Sequence, residues 1–282
     1  MKVCKTVDEI RAYRWLDPRQ SWGLVPTMGF LHEGHISLVR RARGENDYVA
    51  VSIFVNPAQF APHEDLQAYP RNLQRDLSLL EQEEVDLVFV PDDSTMYPPR
   101  SQTFVIVSEV AQPLEGASRP THFRGVTTVV AKLFNIIQPQ RAYFGQKDAQ
   151  QVVVVQRMIK DLDFNVELVV CPIVRESDGL AMSSRNERLS ASQRLAAPVL
   201  FRALTAAKSA FFAGQRQASD LRQIMIAEIE REPLARLDYV SVANPETLLE
   251  LDVVEDKALL SGAIFIGDVR LIDNIPIEKG LI

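Results

Sequence analysis

Two histidines stand three residues apart in His32-Glu-Gly-His35, within the stretch VPTMGFLHEGHISLVRRA at residues 25–42. The stretch joins an apolar run to a basic amphipathic one, so it reads as a strand, a turn containing Gly29, and a helix beginning near Glu33 or Gly34. A helix start presents backbone N–H groups and the positive end of the helix dipole, and both favour an anion. Residues at i and i+3 share a helix face, so His32 and His35 can donate to one polyphosphate. Gly34 lets a flat base or ribose approach the backbone. Either histidine alone could merely solvate a helix start. The complete H-x-G-H after a strand favours a phosphate site.

Three further segments carry polar groups at strand ends or at a domain junction. FVNPAQF (54–60) follows an apolar strand and places the uncharged amides of Asn56 and Gln59 at its carboxyl end, suited to orienting a hydroxyl or carboxylate. Taken by itself, it also reads as an Asn-Pro turn. AYFGQKDAQQ (142–151) repeats the strand–turn–helix arrangement: Gly145 opens the turn, Lys147 supplies a point charge, Asp148 can cap the helix or accept from a ribose, and Gln151 lies one turn on. It is not a Walker P-loop, because G-x-x-x-x-G-K-[ST] is absent. LAMSSRNERLS (180–190) offers the Ser183 and Ser184 hydroxyls and the Arg185 fork, a donor set for polyphosphate or simply a polar linker.

The elements that must position these residues alternate. Thr6-Val-Asp-Glu9 reads as a capping box for a helix through about Trp15. Strands are expected at 22–25, 48–55, 86–91, 104–107, 142–144 and 166–170, with helices at 35–43, 71–83, 126–137 and 149–160 between them. Continuous apolar strands in β-α-β order predict an α/β fold with a parallel sheet covered on both faces. After about Arg175 the rhythm changes. Two helices at 190–213 and 217–231, then strands at 237–243, 258–266 and 269–271, predict a smaller α+β domain. The expected division is 1–176 and 177–282.

Composition narrows the class. The chain has 282 residues, 46% hydrophobic and 24% charged, with a formal net charge of −6. An acidic balance argues against a nucleic-acid partner, which normally meets a basic face. No apolar run is expected to cross a membrane, which takes about 18 residues or more, and no secretory leader is evident. Two distant cysteines, Cys4 and Cys171, form neither a disulfide framework nor a zinc motif. A cytoplasmic protein is the expectation.

Taken together and in order, the motifs resemble the pantothenate synthetase (pantoate–β-alanine ligase) family. They are P-T-M-G-x-L-H-x-G-H at 26–35, F-V-N-P-x-Q-F at 54–60, Y-P-R at 69–71, H-F-R-G-V-T-T-V-V at 122–130, F-G-x-K-D-x-Q-Q at 144–151 and M-S-S-R-N at 182–186. H-x-G-H alone would imply only the wider nucleotidyl-transferring superfamily. The resemblance implies a Rossmann-like ATP- and pantoate-binding domain, a C-terminal lid and a homodimer. It also implies a ligase reaction: pantoate and ATP give pantoyl adenylate and pyrophosphate, then β-alanine gives pantothenate and AMP. ATP is then a substrate, with Mg²⁺ carried on its phosphates and no protein metal site assigned.

By position, the resemblance makes His35 the catalytic proton donor. It assigns ATP to Met28, Gly29, Phe30, Leu31, His32, Glu33, Gly34 and His35, to Gly145, Gln146, Lys147 and Asp148, and to Val174, Met182, Ser183, Ser184 and Arg185. Gln59 contacts pantoate and β-alanine, Gln151 contacts pantoate, and Asn56 and Arg119 line the cavity. Two positions depart from the pattern: Gln146 where glutamate is common, and Thr121 where glycine is common. Asp76 reads as a solvated aspartate on a helix face, with help in holding the metal as the alternative reading. A nucleotidyltransferase of the same superfamily would need a second phosphate where the amides stand. A non-catalytic ATP sensor would not need His35, Lys147 and Arg185 together.

Overall fold

The computed structural model describes residues 1–61, 64 and 66–280. By internal contacts the chain divides into two units, Met1–Gln146 with Val154–Pro172, and Lys147–Val153 with Ile173–Ile282. The start of one helix thus groups with the second unit.

The first unit is built on six parallel strands: β1 (Lys2–Cys4), β2 (Trp22–Thr27), β3 (Tyr48–Ile53), β4 (Leu87–Phe89), β5 (Arg141–Gly145) and β6 (Glu167–Cys171). Their order is β1-β4-β3-β2-β5-β6, and every pairing is parallel. Helices Glu33–Glu45, Leu73–Gln82, His122–Ile137 and Ala149–Asp161 connect them. The Thr6–Glu9 capping box opens helix Val7–Arg14 as the sequence predicts. Strand β1, unread in the sequence, is three residues long and pairs only with β4. Too short to show periodicity, it left no local signal.

The strand order reverses between β2 and β5, the place where ligands bind in open parallel sheets. These two strands pair only at Gly23↔Arg141 and Leu24↔Ala142, whereas β2 stays paired with β3 through Thr27↔Ile53. Pro26, with no N–H to donate, lies in the part of β2 beyond the β5 pairing. The sheet therefore opens where Met28 leaves β2 and Gly145 ends β5.

In the second unit, β7 (Ala235–Ala243), β8 (Lys257–Ile266) and β9 (Val269–Glu278) form an antiparallel sheet in sequence order. Val199, Leu200, Leu204 and Phe211 of helix Val199–Phe212, with Leu221 and Met225 of helix Ala218–Glu230, share a buried core with Leu260, Ile264 and Ile266.

Two expectations need correction. The helix expected over 190–213 is divided into Ala191–Ala196 and Val199–Phe212 at Pro198, which lacks the N–H a continuous ladder requires. By length and composition alone Ala191–Phe212, taken as one stretch, could cross a membrane, yet half of its most apolar window is buried and much of its apolar face belongs to the core just described. The strand expected at 104–107 does not form either. The Val105 N–H donates to Thr128 Oγ1 (3.0 Å) and its carbonyl accepts from Thr127 Oγ1 (2.7 Å), so helix side chains replace a strand partner.

Candidate active site

The turn after β2 is held from below by one carboxylate. Gly29 and Phe30 both have left-handed backbone (φ 80° and 52°), which turns successive N–H groups toward one point. At that point sits Asp76, 1% exposed. Its Oδ2 accepts from the Phe30 N–H and its Oδ1 from the Leu31 N–H, each at 2.8 Å. Arg75, its neighbour on helix Leu73–Gln82, donates from Nη1 to the Leu31 carbonyl at 2.8 Å. Asp76 is therefore not the solvated aspartate read from the sequence. Helix periodicity alone cannot show that a loop 45 residues upstream folds over it.

Beyond this clamp, the two histidines cap their own helix reciprocally. His32 Nδ1 accepts from the Gly34 N–H (3.1 Å), and His35 Nδ1 accepts from the His32 N–H (3.4 Å). The rings lie 4.1 Å apart. A neutral imidazole that accepts at Nδ1 carries its proton on Nε2. In this arrangement both rings carry an Nε2–H at a helix N-terminus, an end of the helix that favours anions.

At the end of β3, a 3-10 turn, Pro57–Gln59, holds the amides. Asn56 Nδ2 donates to Gln59 Oε1 (3.2 Å) and to the Gly125 carbonyl (3.0 Å), while its Oδ1 accepts from Tyr97 Oη (2.7 Å). Gln59 Nε2 faces Met28 Sδ at 3.0 Å, bringing the FVNPAQF segment against the β2 turn. Helix His122–Ile137 approaches so closely that a Cβ on Gly125 would lie 2.4 Å from the Ala58 carbonyl oxygen. Only glycine fits there.

The Gln59 carbonyl accepts from Arg119 Nη2 (3.3 Å) and lies 2.9 Å from His122 Nδ1. Since a carbonyl only accepts, the proton of neutral His122 is on Nδ1. Glu64 pairs with Arg119, with Arg119 Nε 2.9 Å from Glu64 Oε1. Burial, reinforced by the Arg119 charge, pushes the His122 pKa down to about 4. Burial pushes the Glu64 carboxyl up, but Arg119 outweighs it and holds the net pKa below its usual value.

The second unit presents its own set. Arg175 and Ala181 form an antiparallel bridge and the Met182 N–H donates to the Val174 carbonyl at 3.0 Å, so a small hairpin sets Val174 beside Met182. Ser183 caps the following 3-10 turn, Ser184–Arg188, by accepting from the Arg185 N–H at 3.3 Å. Lys147 and Asp148 lie in the 3-10 turn Gln146–Asp148, and Gln151, half-buried, lies in the first turn of helix Ala149–Asp161. In the first unit, the structure thus brings Met28–His35, Asn56, Gln59 and Arg119 into one set of contacts, and in the second it pairs Val174 with Met182. Sequence reading missed Asp76, Tyr97, His122 and Glu64 as parts of this machinery. Of these, only His122 lay in a motif.

Asp76→Asn places an NH₂ against one of two backbone donors and strands a buried N–H, a loss of roughly 1–3 kcal/mol. If that loss falls on the histidine loop, ATP–pyrophosphate exchange drops about ten- to a hundredfold with the fold retained by circular dichroism. Unchanged exchange would show that the clamp is idle. His122 gives a pH signature. Its folded pKa lies below the unfolded 6.5, so the unfolded chain binds more protons between about pH 4 and 6.5. Stability is complete above about 6.5 and declines as pH falls toward 4, by on the order of 2–3 kcal/mol from this group. Urea unfolding at about pH 7 and about pH 4.5 should show a smaller pH-dependent loss in His122→Gln than in the parent, and equal losses would refute the assignment.

The family model for pantoate-beta-alanine ligase matches residues 2–276. A pantothenate synthetase of Roseiflexus sp. (strain RS-1) is 61% identical over 278 residues, covering 99% of this chain and all of the relative. The crystal structure of pantothenate synthetase from Thermus thermophilus superposes with a TM-score of 0.93 at 48% identity, covering 98% of this chain and 99% of that one. The pantoate-beta-alanine ligase of Francisella tularensis, solved in complex with beta-gamma ATP and beta-alanine, gives 0.81 at 36% identity, with 98% and 97% covered. With likeness spanning nearly the whole length in both sequence and fold, this chain belongs to the pantoate–β-alanine ligase family.

Proposed function

We propose that the residues described above carry out the reaction of the family, the ATP-dependent condensation of (R)-pantoate with β-alanine. The observation that carries this reading is the pair of Nε2–H imidazole donors at a helix start, set beside an amide-lined turn. A pantoate carboxylate oxygen attacks the α-phosphorus, the bond to the bridging oxygen breaks, and pyrophosphate leaves. The β-alanine amine, as its free base, then attacks the acyl carbonyl, the acyl carbon–oxygen bond breaks with AMP departing, and the nitrogen releases a proton to solvent. Both partners of the first step are anions, so donors must meet charge as it develops.

His35 and His32 supply such donors, with Met28–Gly34 shaping the approach and Gly145 and Gln146 following β5. Lys147, Asp148, Val174 and Met182–Arg185 are further ATP contacts. Gln59 takes hydroxyl or carboxylate groups of pantoate and of β-alanine, and Gln151 takes pantoate. Among the described residues no group of three or more His, Cys, Asp or Glu side chains is placed to hold a metal, and both Asp76 oxygens already accept from amides. Mg²⁺ carried on the ATP phosphates would neutralise part of their charge. No covalent enzyme intermediate is required.

The decisive assay is pantoate-dependent exchange of pyrophosphate into ATP. Exchange without pantoate, or with a phosphorylated acceptor instead, would overturn the reading. His35→Ala removes a donor that matters most in the transition state and should slow exchange by about two to three orders of magnitude while sparing the fold; parent-like exchange would end its catalytic assignment. We also propose a cytoplasmic homodimer. Phe104 and Ile106, 48% and 69% exposed, are apolar side chains that a second copy would cover. Sedimentation equilibrium should return twice the chain mass, and the mass of a single chain would refute the dimer.

A further inference from the structure

We infer that Asp273 and Asn274, adjacent on β9, are positioning residues that fix two ATP-contacting segments relative to each other. The inference rests on the assignment of Lys147, Val174 and Met182–Arg185 to ATP. Asp273 is 5% exposed and Asn274 2%. The Asp273 carboxylate takes both arms of one guanidinium: Oδ2 accepts from Arg175 Nη1 at 2.6 Å and Oδ1 from Arg175 Nη2 at 2.9 Å. Oδ1 also accepts from the Asn274 N–H at 2.7 Å.

Arg175 is held on its other sides too. It lies over the Phe201 ring at 4.1 Å, and its Nη1 donates to the Gly179 carbonyl at 3.0 Å. Arg175 and the Gly179 carbonyl belong to the hairpin that sets Val174 beside Met182. The next residue on the strand reaches elsewhere: Asn274 Nδ2 donates to the Lys147 carbonyl at 3.0 Å.

Successive strand side chains point to opposite faces. Asp273 is registered with Gly262 and Asn274 with Ser261, so one dipeptide grips the hairpin from one face and the Lys147 turn from the other. The backbone between them is paired strand, a stiff spacer. A buried ion pair adds little net stability compared with apolar residues of the same size. What a bidentate pair supplies is geometry.

The test compares Asn274→Ala, Asp273→Asn and the double variant Asp273→Asn/Arg175→Gln, which leaves a neutral hydrogen-bonding pair if the single change does not fold. Lys147→Ala and Arg185→Ala serve as references. ATP binding is read by calorimetry, and KM for ATP and pantoate in the exchange assay. The expected result is about tenfold weaker ATP with pantoate KM within about twofold of the parent. Folded variants with parent-like ATP binding, beside a weakened Lys147→Ala, would overturn the positioning role alone. Equal loss of both substrates would reduce it to a general structural role and overturn it too. Parent-like ATP binding in both Lys147→Ala and Arg185→Ala would instead remove the underlying ATP assignment, and the inference with it.

Discussion

The carboxylate of Asp76, buried beneath the β2 turn, is the contact on which the histidine site depends. Two consecutive N–H groups in left-handed backbone form a natural anion cradle, and here the anion is the protein's own side chain. The Phe30 and Leu31 amides are thereby committed before any nucleotide arrives. In the next turn of chain, the Gly34 N–H engages His32 Nδ1 and the His32 N–H engages His35 Nδ1. The turn is organised in advance, so less reorganisation is left for the moment when charge moves.

The same use of acids recurs across the molecule. A chain with a net charge of −6 must handle phosphates and a carboxylate, which demands that nearby acids not repel them. Asp76 is taken up by amides, Glu64 by Arg119 and Asp273 by Arg175. In each case the acid holds a loop or a cation in place. Net charge describes the whole surface, whereas the site is governed by which acids are already paired.

The parallel sheet supplies the place for this arrangement. Because β2 and β5 share only their early residues, their carboxyl ends part where the order of strands reverses. Met28 and Gly145 leave the sheet there. The Pro57–Gln59 turn reaches the same region from β3, pressed into place by the close approach at Gly125.

Local sequence determined a good deal. Apolar runs and caps announced β2, β3, β5 and the helix starting at Glu33, because strand burial and helix capping are written within a few residues. The H-x-G-H spacing exposed the histidine pair for the same reason. Tertiary structure alone decided what lies at long separation. The link from Asp76 to Phe30 and Leu31, the contact of Gln59 with Met28, and the reach of Asp273 and Asn274 to Arg175 and Lys147 have no local signature. An aspartate in an amphipathic helix and a polar dipeptide in a strand look the same in sequence whether water or a backbone amide receives them. Only the packing of distant segments chooses between those partners, because it removes the water and leaves the amide.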